Sequence, residues 1–129
     1  MNSKTDFADS LHSEISSVIQ IEELDDREYL IRTPLTFDDG DGYLISLQSC
    51  DDGWMLTDCG RTYMHLSCYL DDETLDNDEN KKVIEKVYTQ HQIEERKGAL
   101  VRPIDIENIG GEVFEFAHAI SKIASIARR

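Results

Sequence analysis

The sequence has no long uninterrupted apolar run, only two prolines and only three cysteines. A membrane-spanning helix needs about 20 consecutive apolar residues, and no segment approaches that length. The first ten residues lack the basic stretch followed by an apolar stretch that is typical of a secretory signal. Cys50, Cys59 and Cys68 cannot all pair with one another, so we expect reduced thiols. These absences predict a cytoplasmic protein.

Positive charge is scarce, above all in the first two thirds of the chain. Asp and Glu number 27 against 13 Lys and Arg, which gives a formal net charge of −14. Residues 1–80 hold 20 acidic and 4 basic side chains, whereas residues 81–129 hold 7 and 9. A surface this negative repels phosphate backbones and anionic lipids. We therefore expect no direct nucleic-acid binding and no membrane binding, but a protein partner with a basic surface.

The apolar content is nevertheless high enough to build a core. Hydrophobic residues make up 40% of the chain, more than a chain that is disordered throughout contains. A length of 129 residues suits one domain. We therefore predict a single domain that spans residues 1–129.

Apolar residues at helical spacing mark both ends of the chain. They predict an amphipathic helix over residues 5–21 and a final helix over residues 112–128, after a break at Gly110-Gly111. The apolar face of the first helix is predicted to contain Phe7, Leu11, Ile15 and Val18 or Ile19. That of the last helix is predicted to contain Val113, Phe116, Ala117, Ile120, Ile123 or Ala124, and Ala127.

Between these helices, alternating apolar and polar residues predict strands. Residues 28–33, 43–50 and 54–58 form a three-stranded antiparallel meander, because turns rich in Asp and Gly separate them. The acidic segment before the meander, residues 22–28, is expected to be a connector. We expect residues 92–104 to form a hairpin that turns at Lys97-Gly98 rather than to extend the preceding helix.

Two further helices are predicted between the meander and this hairpin. The first covers residues 61–70, and the second begins at Asp78 or Asn80. The acidic residues 71–80 are expected to form an exposed link between the two. The fold class is thus α+β, with a mainly antiparallel sheet (the meander plus a C-terminal hairpin) packed with N-terminal and C-terminal amphipathic helices.

The most distinctive run lies where the third strand of the meander ends. A strand that ends in Thr33-Pro34, a turn at Gly40-Asp41-Gly42, and the run Leu56-Thr57-Asp58-x-Gly60-x-Thr62 together resemble a family of short bacterial and phage domains of unknown function. The resemblance covers residues 10–70 and, loosely, the last helix. It implies a small domain of prophage or mobile-element settings. It transfers no catalytic role, because the family has no established activity.

Asp58 has two interpretations at this position. As a functional group it is a metal-binding or catalytic carboxylate at a strand end. As a structural group it accepts hydrogen bonds from the backbone of the helix that follows, while Gly60 permits the bend. We favour a structural strand-to-helix corner, because this interpretation explains every residue type in the run. The corner residues are Thr57, Asp58, Gly60 and Thr62.

A degenerate, metal-dependent nuclease related to restriction endonucleases is the enzymatic alternative. That chemistry requires an Asp followed by an acidic-x-Lys pattern on the next strand, which holds Mg²⁺ and activates water. Asp41 and Asp58 are available, but the third strand offers Met55-Leu56-Thr57 and no lysine. We therefore expect a non-enzymatic protein with no catalytic residue.

Sulfur and imidazole ligands give no better metal site. A structural zinc site usually contains a short Cys-x₂₋₄-Cys spacing, which is absent from the set formed by Cys50, Cys59, His65 and Cys68. We expect neither a metal nor a cofactor.

Acidic residues at the predicted turns are the candidate partner-binding residues. They are Asp38, Asp39, Asp41, Asp51, Asp52, Asp71, Asp72 and Glu73. In the sharper form of this hypothesis, the carboxylates mimic nucleic acid and inhibit a host defence protein by occupying its cations. A third hypothesis is a homodimeric structural or regulatory subunit joined through the final helix, which requires Ile123 or Ile126 to be exposed in the monomer.

Overall fold

The computed structural model describes residues 4–51 and 53–128. In this part of the chain there are five α-helices and six strands, and short 3₁₀ turns at Ile106–Asn108 and Ser125–Arg128 flank the last helix. The helices are α1 (Lys4–Val18), α2 (Arg61–Ser67), α3 (Asp72–Leu75), α4 (Asp78–His91) and α5 (Ile109–Ala124). The strands are β1 (Gln20–Asp25), β2 (Glu28–Thr36), β3 (Gly42–Cys50), β4 (Gly53–Thr57), β5 (Glu94–Arg96) and β6 (Ala99–Ile104).

The six strands form one antiparallel sheet in the order β1-β2-β3-β4-β6-β5. The predicted meander is confirmed as β2, β3 and β4, and the predicted hairpin as β5 and β6. The hairpin joins the meander because β6 pairs with β4, with Leu56 opposite Arg102. The α+β class with a mainly antiparallel sheet is therefore confirmed.

One face of the sheet carries the core. Tyr43, Ile45 and Leu47 alternate along β3 toward the same face, and all three are buried. They belong to one apolar cluster with Phe116 and Ile120 of α5. Helices α2 and α4 pack against α5, and both α2 and α5 contact β6. Burial of each large apolar side chain stabilises this arrangement by roughly 1.5–3 kcal/mol.

The acidic connector predicted over residues 22–28 is wrong for most of its length. Residues 20–25 form β1, an edge strand that pairs with β2, with Ile21 opposite Ile31. Every side chain of β1 is exposed, so the segment shows none of the apolar alternation that identifies a half-buried strand. Carboxylates are common on edge strands because they discourage pairing with other chains.

The acidic link predicted over residues 71–80 is exposed for most of its length but partly helical. Asp71 caps α3 by accepting a 2.7 Å hydrogen bond from the Thr74 amide. Asn77 caps α4 in the same way, with a 2.8 Å bond from the Asn80 amide. The helix that follows the link starts at Asp78, one of the two starting points predicted for it.

The last helix starts earlier than predicted, at Ile109, and ends at Ala124. Gly110 and Gly111 do not break the chain, because they lie in the first helical turn and neither adopts a positive φ. Ile123 and Ile126 are 0% and 1% exposed. The exposure that the homodimer hypothesis required of them is therefore absent, since both side chains are used within one chain.

Helix α1 forms close to its predicted bounds but does not pack as expected. Its described side chains, from Asp6 to Val18, are all exposed, and Phe7 is 64% exposed. Our expectation that this amphipathic helix packs on the sheet is therefore wrong. None of the described helices is long and apolar enough to cross a membrane.

Candidate functional site

The corner that follows β4 is built around the Asp58 carboxylate, which is 1% exposed. Its Oδ1 accepts hydrogen bonds from the amides of Gly60 at 2.9 Å and Leu100 at 2.8 Å. Its Oδ2 accepts a bond from the Thr62 amide at 3.1 Å. Asp58 thus joins the start of α2 to strand β6, and both carboxylate oxygens are used in doing so.

The neighbours of Asp58 complete the turn in different ways. The Thr57 hydroxyl accepts a 3.1 Å hydrogen bond from the Cys59 amide, and Gly60 adopts a φ of 81°, which favours glycine. The Thr62 hydroxyl is buried and has no hydrogen-bond partner among the described residues. Thr62 therefore contributes its amide to the corner and not its side-chain oxygen.

Cys59 projects from this corner with a positive φ of 56°. Desolvation and then the Asp58 carboxylate raise the pKa of its thiol. The thiol is therefore protonated at neutral pH and is a poor nucleophile, because only the thiolate attacks.

No metal site emerges from these residues. Across residues 4–51 and 53–128, no group of three or more His, Cys, Asp or Glu side chains is placed to hold an ion. Asp58, which the nuclease hypothesis required as a ligand, has both oxygens committed to backbone amides. The geometry at Asp58 is that of a structural carboxylate.

Three of the candidate partner-binding residues lie in the β2–β3 loop, next to the end of α2. Asp39 approaches His65 at 3.4 Å between Oδ2 and Nδ1. The His65 ring stacks on Phe37, with ring centroids 4.3 Å apart. Tyr69 lies beside His65, and desolvation of its phenol followed by the Asp39 carboxylate raises the pKa of Tyr69. The loop is thus anchored to α2 by one aromatic stack and by the close approach of Asp39 to His65.

Three more of these residues, Asp71, Asp72 and Glu73, begin two residues after Tyr69 in the chain. Because Asp71 is two residues beyond Tyr69, its Cα lies within about 8 Å of the Cα of Tyr69. We call these two acidic segments on either side of Tyr69 the acidic end; its members are Asp38, Asp39, Asp41, Asp71, Asp72 and Glu73. All six are exposed.

The structure separates Asp51 from the acidic end. Asp51 follows the far end of β3, whereas Asp41 precedes the near end, and the nine residues of β3 span about 26 Å. Asp52 lies outside the described residues. The candidate carboxylates therefore do not form a single surface, and the acidic end is the part that the fold brings together.

Sequence reasoning missed a polar network between α4 and α5. His91 is 5% exposed, and its Nδ1 lies 3.0 Å from the Glu115 carboxylate. Its Nε2 lies 3.0 Å from Nζ of Lys122. Arg102 donates to the His91 carbonyl and, at 3.0 Å, to Glu112. The only local signal was His91 itself, a polar residue at the end of the apolar face of α4. It did not identify the network, because the partners of His91 are 11 to 31 residues away in the chain.

The family model of DUF1828, a domain of unknown function, matches residues 33–123. The chain belongs to this family. The resemblance to a family of short domains of unknown function, drawn from the Thr-Pro, Gly-Asp-Gly and Thr-Asp-x-Gly-x-Thr runs, is thereby confirmed. No curated protein matches the chain significantly, and no solved structure does either.

The DUF1828 match includes the candidate sites but not the first helix and the first strand. The Asp58 corner, the acidic end and the helices α2 to α4 all lie within the DUF1828 match. Helix α1 and strand β1 precede it. The acidic end is therefore carried by the DUF1828 domain, whereas the carboxylates of β1 lie outside the matched region.

Proposed function

We propose that this protein is a non-enzymatic interaction module that binds a basic surface of a partner protein through the acidic end. The observation that carries the proposal is that Asp38 and Asp39 lie beside Tyr69, two residues before a second acidic segment, residues 71–73. The β2–β3 loop is held near the end of α2 because the Phe37 ring stacks on His65 and Asp39 approaches the same ring. Six exposed carboxylates in one region create a negative field that steers cations toward it.

The charges of the acidic end are available to a partner. Hydrogen bonds from the Thr74 side chain and amide lower the pKa of Asp71, so it stays ionised at neutral pH. Asp41, Asp72 and Glu73 form no ion pair within the described part of the chain. Arg61 shares a cavity of about 210 Å³ with Asp41 without pairing to it. A Lys or Arg of a partner therefore meets three carboxylates, those of Asp41, Asp72 and Glu73, that have no ion-pair partner among the described residues.

In a narrower form of the proposal, the partner is a nucleic-acid-binding defence protein and the acidic end is a decoy for phosphates. Two features support this form: the strong negative charge of residues 1–80 and the resemblance to phage domains. It predicts that duplex DNA competes with this protein for its partner, and that the competition weakens as salt is added.

Charge reversal tests the proposal. The variant D71K/D72K/E73K reverses three carboxylates of the acidic end, and the matched control E22K/E23K/D25K reverses three on β1 for the same change in net charge. Affinity capture from cell extract, followed by titration of each purified captured protein, measures binding. We expect a basic partner that binds the wild type and the control at least about tenfold more tightly than the acidic-end variant, a difference of about 1.4 kcal/mol.

Equal weakening by both triple variants would show that bulk charge alone attracts the partner. Unchanged affinity of the acidic-end variant would overturn the proposal. Addition of duplex DNA to the wild-type complex separates the decoy form from a general interaction module, since only a decoy is displaced.

A further inference from the structure

A groove of about 580 Å³ lies beside the acidic end, between α2, α4 and the β5–β6 turn. This volume falls within the range of about 300–1,000 Å³ that is usual for ligand sites. Its lining has an apolar component from Leu75 and Ile84 and an aromatic component from Tyr63 and Tyr88. The two phenol oxygens are hydrogen-bonded to each other.

Carboxylates dominate the charged groups of this groove. Asp76, Glu85 and Glu95 line it together with a single lysine, Lys81. Within the described part of the chain, none of the four side chains forms an ion pair. The charge of the lining is therefore −2, and each of these charged groups is free to engage a ligand.

The phenols are neutral at physiological pH. Desolvation, followed by the hydrogen bond with Tyr88, raises the pKa of Tyr63 well above its usual range. Desolvation also raises the pKa of Tyr88, and the Glu95 carboxylate acts in the same direction on both groups. Neutral aromatic rings next to unpaired carboxylates form an environment that suits a cation with an apolar stem.

We propose that this groove binds an arginine side chain of the partner protein, an inference that rests on the function proposed above. The methylene stem contacts Leu75 and Ile84, the guanidinium stacks on a tyrosine ring, and Glu85 or Glu95 accepts its hydrogen bonds. Arginine fits better than lysine because its planar, weakly hydrated guanidinium both stacks on aromatic rings and donates two parallel bonds to a carboxylate.

The position of the groove fits a partner segment already held at the acidic end. Helix α3 carries Asp72 and Glu73 at its start, and Asp76 of the groove follows directly after its end. Four residues of helix rise by about 6 Å, so adjacent residues of one extended basic segment reach both places. The acidic end attracts the segment, and the groove anchors one side chain of it, as buried Arg residues often do at interfaces.

A peptide titration of the full chain tests this inference. The probe is an acetylated, amidated hexapeptide of alternating glycine and arginine, with lysine and citrulline versions as comparisons. The protein is labelled for NMR, and chemical shifts and affinity are measured at physiological salt. We expect the arginine peptide to shift the signals of Tyr63, Ile84 and Tyr88, and to bind more tightly than the lysine peptide. The uncharged citrulline peptide is expected to bind at least about tenfold more weakly.

Two charge-neutralised variants test whether the arginine peptide binds in the groove. In E85Q/E95Q the affinity for the arginine peptide is expected to fall about tenfold, whereas the matched control E22Q/E23Q on β1 leaves it within about twofold. All four positions are exposed, so folding is not at risk. Equal affinities for arginine and lysine peptides would overturn the assignment of arginine. Shifts confined to the acidic end, or equal losses in both variants, would overturn the groove as the site.

The two proposals fail in different ways. If the peptide occupies the groove but D71K/D72K/E73K captures the partner normally, the acidic end is not the docking surface. If that variant loses its partner while the peptide leaves the groove signals unchanged, only the arginine anchor is wrong.

Discussion

Helices α1 and α5 are similar in length and in apolar spacing, yet they lie in opposite environments. Phe7, Leu11, Ile15 and Val18 of α1 are between 42% and 64% exposed, whereas Phe116, Ile120 and Ile123 of α5 are at most 1% exposed. The connections explain the difference. One residue, Ile19, separates α1 from β1, while four residues separate β6 from α5. Helices that fold back onto a sheet usually need connections of about 2–6 residues.

Amphipathic spacing is thus necessary for burial but does not decide it. Strand β1, which follows α1 in the chain, is also at the edge of the sheet, and all its side chains are exposed. By contrast, α5 is tied down by apolar packing and by polar bonds at two points. Its Glu112 accepts from Arg102 at 3.0 Å, and Glu115 contacts His91.

The largest loss of stability is expected on the buried face of α5, which can be compared with the exposed face of the same helix. Ile120→Ala removes buried methyl and methylene groups from the centre of the core, and the free energy of unfolding should fall by about 3–4 kcal/mol. Phe114→Ala on the same helix is the matched control, because Phe114 is 54% exposed. Urea denaturation measures both. A loss above about 1.5 kcal/mol for Phe114→Ala would mean that its face of α5 is covered by something else.

The Asp58 corner should rank next, because its carboxylate holds the start of α2 to strand β6 through three backbone amides. Asp58→Ala leaves three backbone amides without their acceptor, and each such loss costs about 1–3 kcal/mol where water cannot enter. We expect a total loss of about 3 kcal/mol by urea denaturation. The exposed Asp41→Ala should change stability by less than about 0.5 kcal/mol. Equal, small effects would contradict the structural role of Asp58.

The Asp58 corner, the meander and strand β1 show which structural features could be predicted from the sequence. The corner was predictable because its residues are close in the chain and each residue type has a local reason to be there. The meander was predictable because alternation and Asp-Gly turns are local signals. Strand β1 was not, since all its side chains are exposed and its only evidence of strand structure is pairing with β2.

The groove and the His91 network escaped prediction for a different reason. Tyr63 and Tyr88 are 25 residues apart, and His91 and Lys122 are 31 apart. Each belongs to a helix whose local pattern is fully explained by packing or solvation. Only the packing of α2 and α4 against α5 brings these polar groups together, and that geometry depends on contacts distant in the sequence.

A smaller effect should appear at alkaline pH, where α2 and α4 are joined through Tyr63 and Tyr88. Because the pKa of both phenols is raised in the folded protein, the unfolded chain loses these protons first, above about pH 10. Stability is therefore fully present below that pH and falls as the pH rises through it. Urea denaturation from pH 8 to 11 should show a steeper fall for the wild type than for Tyr63→Phe or Tyr88→Phe. Identical slopes would contradict the prediction.

The smallest change in stability is expected for substitutions in α1, and measurements on α1 test its contrast with α5 most directly. Leu11→Ala removes an exposed side chain, so the free energy of unfolding should change by less than about 0.5 kcal/mol. An isolated helix of about 15 residues is marginal in water, so the amides of α1 should exchange with solvent orders of magnitude faster than those of α5. Hydrogen exchange measured by NMR tests both statements on one sample. If the amides of α1 proved as protected as those of α5, its apolar face would have to be covered, and a concentration dependence of that protection would identify a second copy of the chain as the cover.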